Sequence, residues 1–162
     1  MNNPCIKAIL VAAMGVAFAN SALADTKTTT FNVTATVLSS CSVSATDLEF
    51  GDYDPTAAGN LESTSTITAT CTKGTTYAIA LGQGQNTSRQ MKLSSGPDLL
   101  DYELYQPGGY TTIWGDVGSG ATVAQTSTDG GPIDYAVNGR VTAGQYVTAG
   151  AYTDKVLVTV TY

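Results

Sequence analysis

Apolar and polar residues alternate along most of this chain, with a period of two that is interrupted every 8 to 12 positions by Gly, Pro, Asn, Asp or Ser. Phe31, Val33, Ala35 and Val37 alternate with Asn32, Thr34 and Thr36, which predicts a strand with one buried face over 28–38. The residues after it, Ser39-Ser40-Cys41, offer no Asn-Gly or glycine-rich reversal, so nothing local pairs this strand with a neighbour. Further strands are predicted over 41–45, over 63–72 with Ile67, Ala69 and Cys71 on one face, and through Tyr77, Ile79 and Leu81. They continue over 90–93, through Leu100, Tyr102 and Leu104, over 110–114, near 122–125, and through Ile133, Tyr135 and Val137. Residues 139–150 read as a connecting loop. A last uninterrupted strand is predicted over 152–162, with Val156, Val158, Val160 and Tyr162 on one face and Lys155 pointing outward by parity.

Short strands separated by turn signals, with no convincing helix, predict an all-β chain, a Greek-key β-sandwich. The two ends of the pattern do not match. The terminal strand lacks the neighbour that would close its sheet, while 28–38 is a strand in surplus. An unpaired edge exposes N–H and C=O groups and a path into the core. A spare alternating strand is the complement of such a gap. Supplied by another copy of the chain, it would be strand addition, and head-to-tail addition does not close on itself but propagates as a fibre.

The first 24 residues change the picture of location. Lys7 followed by an apolar run of 12 residues over 8–19, then Ala22-Leu23-Ala24, has the form of a secretory signal peptide cleaved before Asp25. The run is too short for a permanent membrane anchor, so a soluble exported protein with no membrane insertion is expected. Cys5 leaves with that leader. Cys41 and Cys71 remain, and two cysteines in an exported chain imply one disulfide, which would set the strand beginning at Cys41 beside the end of 63–72. The length after cleavage suits one domain with its own core. Beyond the leader, six Lys and Arg face 13 Asp and Glu, a surface that repels nucleic acid and anionic lipid.

Candidate chemistry is thin. The chain has no histidine, no thiol left over, and neither a Gly-x-Ser-x-Gly turn nor a phosphate-binding lysine loop. Asp98 with Asp101, and Asp52 with Asp54, are the carboxylate pairs that glycosidic acid/base work would need, and the second pair is the candidate calcium loop. Both lie beside Pro or Gly, where Asp caps turns, so the structural reading is preferred and no enzyme, metal or cofactor is expected. Trp114 with Tyr102, Tyr105 and Tyr110 is the candidate sugar-stacking platform, and packing of Trp114 at the core edge is its structural alternative.

Specific punctuation adds a resemblance. Cys41-Ser42-Val43, Leu48-Glu49-Phe50-Gly51-Asp52-Tyr53, Tyr102-Glu103-Leu104-Tyr105 leading to Ile113-Trp114-Gly115-Asp116, then Gly139-Arg140-Val141, Gly144-Gln145, Gly150-Ala151-Tyr152-Thr153-Asp154 and the closing Val156 to Tyr162 resemble the spore coat protein U domain over essentially all of 25–162. That family includes the subunits of Csu-type, archaic chaperone-usher pili, and the chain resembles their major rod subunit. The resemblance implies an incomplete immunoglobulin-like sandwich completed by a donor strand. A periplasmic chaperone first lends the strand, an outer-membrane usher exchanges it, and the next subunit's N-terminal segment then fills the groove. It implies a leader over 1–24, a donor strand over 25–38 carrying Phe31, Val33, Ala35 and Val37, and a pilin domain over 39–162. It also implies an acceptor groove formed by Val156, Val158, Val160 and Tyr162, and a Cys41–Cys71 disulfide. The implied function is that of a surface pilus subunit serving adhesion and biofilm formation. A tip adhesin or an exported carbohydrate-binding module is the alternative.

Overall fold

The computed structural model describes residues 24–162 apart from Thr87 and Gly120. The leader expected over 1–24 lies, Ala24 excepted, outside the described residues. The chain divides into two compact units, Met1–Ala35 and Thr36–Tyr162. In the first, residues 24–35 form no regular secondary structure; Lys27 and Asp25 make an exposed ion pair at 2.6 Å.

The second unit holds nine strands among the described residues: β1 (Cys41–Ala45), β2 (Leu61–Cys71), β3 (Thr76–Leu81), β4 (Gln90–Leu93), β5 (Leu99–Tyr105), β6 (Val123–Thr126), β7 (Pro132–Val141), β8 (Tyr152–Thr153) and β9 (Val158–Thr161). They form a six-stranded sheet in the order β1-β2-β7-β5-β4-β8 and a three-stranded sheet in the order β6-β3-β9. Every pairing is antiparallel. The all-β sandwich expected from alternation is present.

Alternation explains the core. Ile67, Ala69 and Cys71 on β2, Tyr135, Val137 and Val141 on β7, and Leu100, Tyr102 and Leu104 on β5 are buried on one face of the large sheet. Tyr77, Ile79 and Leu81 on β3 meet them from the small sheet. The register places Ile67 opposite Tyr135 and Tyr102 opposite Val141, so the inward rows of neighbouring strands coincide. Cys41 and Cys71 face each other in the β1–β2 ladder and are disulfide-bonded. They mark one end of the sandwich, here the cystine end, which also carries the turns at 72–75 and 127–131. Leu61, Val141 and the loop 142–151 mark the far end.

Three expectations differ from the structure. Residues 110–114 are not a strand: only Ile113 bridges to Tyr105, and the segment is a turn-rich loop that carries Trp114 inward. Trp114 itself is completely buried, a centre of the core rather than its edge, and its Nε1 donates to the Ile79 carbonyl at 2.8 Å. The predicted strand over 152–162 is two strands. β8 pairs with β4 in the large sheet, residues 154–157 cross the sandwich, and β9 pairs with β3 in the small one. The crossing is fixed by Asp154, which accepts from the Gln85 amide at 2.8 Å and from the Tyr102 hydroxyl at 2.7 Å. In addition, β7 extends through Gly139 to Val141, three residues into the expected 139–150 loop.

Candidate functional site

β3 ends at Leu81, and β9 begins opposite it at Val158, so the small sheet covers only the half of the large sheet nearer the cystine end. Toward the far end a groove of about 1410 Å³ opens onto the core. Its floor is the inner face of the large sheet, with Ile67, Leu100, Tyr102, Val137 and Val141. One wall is the C-terminal segment 147–158, including Val156 and Val158. The other is the segment 45–55, which leaves β1 and continues along β2: the Thr46 amide donates to the Thr66 carbonyl at 2.9 Å and the Ser63 hydroxyl to the Glu49 carbonyl at 2.6 Å.

The apolar side chains of that second wall turn inward for a local reason. Leu48 and Phe50 cross the inner face of β7 at Gly139, where an added Cβ would lie 2.7 Å from Leu48 Cδ1 and 2.9 Å from Phe50 Cζ. The missing side chain is the seat for both. Tyr53 then fastens the segment at the far end, donating its hydroxyl to the Thr142 carbonyl at 2.9 Å and accepting from the Gln145 amide at 2.8 Å.

The edges beside the groove are apolar and incompletely covered. Val43 shares its face with Cys41, opposite buried Ala69, yet remains 40% exposed. On the facing edge Val156, Val158 and Val160 are half-buried, with Val158 and Val160 opposite buried Leu81 and Ile79. Tyr162 is exposed and is not among the groove-lining residues. Lys155 is exposed, as parity predicts. Of the four predicted acceptor residues, Val156 and Val158 line the groove, and Val160 and Tyr162 are not among its lining residues. The structure adds Ala45, Leu48, Phe50 and the floor, which the sequence reading did not assign. The signal for them was present in Cys41, Val43 and Ala45 and in the Leu48, Phe50 pair.

Residues 24–40 carry no secondary structure, so the alternating segment at 28–38 forms no strand within the chain. Its side chains are open to solvent: Phe31 is 85% exposed, Val33 83% and Val37 80%, and Ala35 is exposed too. At Leu38 the backbone joins the sandwich. Thr72 donates its hydroxyl to the Leu38 carbonyl at 3.3 Å and its amide to the Ser40 carbonyl at 2.8 Å, next to the disulfide. Leu38 and Ser40 are thus held at the cystine end of the second unit.

One buried charge holds the two sheets together. Arg89, 4% exposed, donates to the carbonyls of Leu81 and Leu104 at 3.0 Å each, to those of Gly82 and Trp114, and to the Glu103 carboxylate. Leu81 ends β3, Gly82 follows it, and Leu104 lies on β5, so the guanidinium bridges the two sheets. The residue escaped sequence reasoning because nothing around Ser88-Arg89-Gln90 marks it.

The other candidate chemistry disperses. Asp54 caps its own turn: the Thr56 hydroxyl at 2.6 Å and then the Thr56 amide at 2.8 Å hold its carboxyl below the usual range. Asp98 is lowered likewise, by hydrogen bonds from Thr148. Asp101 Oδ1 accepts from the side chain of Gln90, so Asp98 and Asp101 serve different local bonds. No group of three metal-ligating side chains occurs among the described residues. The four candidate aromatics do not make one platform. Trp114 and Tyr102 point into the core, while Tyr105 and Tyr110 stack edge to face on the other side, their rings beneath the Arg140 guanidinium.

Comparison with known proteins agrees with this architecture. The crystal structure of a chaperone–tip adhesion subunit pre-assembly complex from the archaic chaperone-usher Csu pili of Acinetobacter baumannii matches with a TM-score of 0.58 at 23% identity, over 78% of this chain and 41% of that chain. The chain spans less than half of that neighbour's length and shares its fold, the immunoglobulin-like sandwich. Protein U of Myxococcus xanthus is 33% identical over 176 residues, covering 97% of this chain and 96% of the relative. The family model of the Spore Coat Protein U domain matches residues 27–159, and the chain belongs to that family.

Proposed function

We propose that this protein is a non-catalytic subunit of an exported surface fibre, assembled by the chaperone-usher route through donor-strand complementation. The observation that carries the reading is an apolar groove open to the core in a chain that also bears a solvent-exposed, alternating apolar segment which it does not build into its own sheets. Phe31, Val33, Ala35 and Val37 are the donor residues. Val156 and Val158, with Ala45, Leu48 and Phe50 opposite, are the acceptor walls, and Val160 and Tyr162 continue the same C-terminal edge as further acceptor residues. Before assembly a periplasmic chaperone occupies the groove, and an outer-membrane usher exchanges it for the next copy's donor.

The magnitudes suit a durable fibre. Burying Phe31, Val33 and Val37 contributes about 5–9 kcal/mol before backbone pairing, and Ala35 adds little. Withdrawal of a strand that completes a core is slow, so the fibre persists kinetically as well. Surface attachment and biofilm growth are the roles such a fibre serves.

The test compares polymers from cells expressing the wild type, a form lacking residues 25–38, and Val33→Arg. Donor deletion should leave chaperone-bound monomer, and the arginine should weaken polymers by burying an unpaired charge. SDS-resistant polymers of normal length from both variants would overturn the reading.

A further inference from the structure

Thr72 follows directly on β2 and continues its ladder with β1 by one position: its amide donates to the Ser40 carbonyl at 2.8 Å, next to the Cys41–Cys71 pair. Its hydroxyl is shared between two carbonyls of the incoming chain, that of Leu38 at 3.3 Å and that of Ser40 at 3.4 Å. Residues 38–40 form no strand of their own, yet these bonds fix their direction, in line with β1 and beyond its first residue. One such hydroxyl bond stabilises the fold only slightly. A side chain that bonds two carbonyls two residues apart nonetheless decides where the chain between them points.

That direction bears on the chain's own groove. On β1 and β2 the groove-lining residues nearest the cystine end are Ala45 and its ladder partner Ile67. Thr72 lies five positions along the chain from Ile67, about 16 Å at the rise of a strand. Val37 is adjacent to Leu38 and so within about 4 Å of it; while the Thr72 bonds stand, Val37 falls roughly 10 Å short of that level. Released, the same link has another course. Leu38, Ser39 and Ser40 separate Val37 from Cys41, and three residues are the length of a hairpin loop. A reversal there would lay 31–37 along the edge of β1 that is unpaired among the described residues, with Val37 level with Cys41, Ala35 with Val43 and Val33 with Ala45. The apolar parities coincide, and the hairpin would cover Val43, which is 40% exposed. Two things oppose it: the loop, which calls for glycine at its left-handed position, and the hydroxyl bonds that Thr72 would lose.

We propose that Thr72 is a positioning residue for strand donation: by holding Leu38 and Ser40 in line with β1, its hydroxyl keeps residues 31–37 from turning back onto the chain's own β1 and leaves them available to another copy. The choice between closing on itself and joining a neighbour is set at this link, whichever way the segment runs in the groove that receives it. The proposal rests on donor-strand assembly, and its test separates the two.

The full exported chain, with its disulfide intact, is unfolded in urea and refolded by dilution, so that closure within one copy competes with addition to the next. Wild type, Thr72→Val, Thr72→Ser and the turn pair Ser39→Asn with Ser40→Gly are compared by three readouts: the share of SDS-resistant polymer, uptake of a synthetic peptide of residues 25–38, and amide hydrogen exchange of 31–37 in the monomer. Wild type should polymerise, take up the peptide and exchange freely over 31–37. Thr72→Val keeps the shape of the side chain without its hydroxyl, and should give severalfold more monomer, with slowed exchange over 31–37 and reduced peptide uptake. Thr72→Ser restores the hydroxyl and should return all three readouts to those of the wild type. A role in stability alone would move the unfolding midpoint without protecting 31–37. The turn pair, which leaves Thr72 untouched, should shift the readouts as Thr72→Val does, and it decides the matter if Thr72→Val does not fold. Exchange over 31–37 in folded Thr72→Val, or failing that in the turn pair, as fast as in the wild type overturns the role of Thr72 and leaves donor-strand assembly standing. A wild type that neither polymerises nor takes up the peptide overturns both.

Discussion

Tyr102 donates its hydroxyl to Asp154 Oδ2 at 2.7 Å, tying the middle of β5 to the point where the C-terminal segment leaves the large sheet for the small one. The carboxylate also accepts from the amides of Gln85 and Lys155, at 2.8 and 2.7 Å. Space for it is made by Gly84, whose φ is +85° and where an added Cβ would meet Asp154 Oδ2 at an impossible separation. One wall of the groove hangs from this cluster.

Asp154→Ala should therefore cost about 2–4 kcal/mol, because it removes charge-assisted bonds and leaves the partly buried Tyr102 hydroxyl without its acceptor. Gly84→Ala should cost a similar amount, combining left-handed backbone strain with displacement of the carboxylate. Tyr102→Phe should be milder, at about 1–2 kcal/mol, since Asp154 retains two amide donors. Urea unfolding of the full chain followed by tyrosine fluorescence checks the ranking, and equal midpoints for all three variants would refute it.

Two tyrosines predict an alkaline limit. Burial, then the hydrogen bond to Asp154 and its charge, push the Tyr102 hydroxyl well above its ordinary range; burial, then the hydrogen bond with Tyr77, does the same to Tyr135. The Tyr77 and Tyr135 hydroxyls are 2.7 Å apart. A raised folded pKa means that their stabilisation is whole below the unfolded value of about 10 and is lost as pH rises above it, where the unfolded chain ionises first. Stability should fall steeply above about pH 10. Tyr135→Phe should flatten that fall in a pH series of thermal melts, even if it lowers the melting temperature at neutral pH.

Arg89 makes a sharper prediction. Its guanidinium is buried against four carbonyls and one carboxylate, so Arg89→Ala leaves those acceptors unpaired and should cost about 3–5 kcal/mol. Glu103→Gln should cost much less, because Glu103 is partly exposed at 32% and the carbonyls still hold the arginine. A chemical-denaturation series in which Glu103→Gln proves the worse variant would contradict this assignment.

The strands were legible where side-chain parity alone decides burial. Ile67, Ala69 and Cys71, or Tyr135 and Val137, announce their inward faces, and the structure has them there. The division of 152–162 was not legible. Its parity is unbroken, and the sheet switch depends on Tyr102 and Gln85, some 50 to 70 positions away, meeting Asp154. Trp114 was misplaced for a similar reason: residues 110–114 look like a strand, whereas the bond from its indole to Ile79 comes from another sheet. Of the residues lining the groove, Val156 and Val158 stood in the alternation of the sequence. The opposite wall depends on Leu48 and Phe50 crossing at Gly139, and a glycine in a strand signals close approach without naming what approaches.

The disulfide links stability to the groove itself. Cys41 and Cys71 are separated by 30 positions, and closing a loop of that length stabilises by about 3–4 kcal/mol in the chain-entropy picture. It also holds β1, which among the described residues pairs with β2 alone and whose Ala45 lines the groove. Cys41→Ser with Cys71→Ser should therefore lower the urea midpoint and, in addition, loosen the β1 side of the groove ahead of the core. Hydrogen exchange should show amides of β1 losing protection while those of β7, central in the large sheet, keep most of theirs. Wild-type protein in excess reductant should behave as the double variant does; uniform loss of protection across β1 and β7 would mean that the bond acts on the unfolded chain alone.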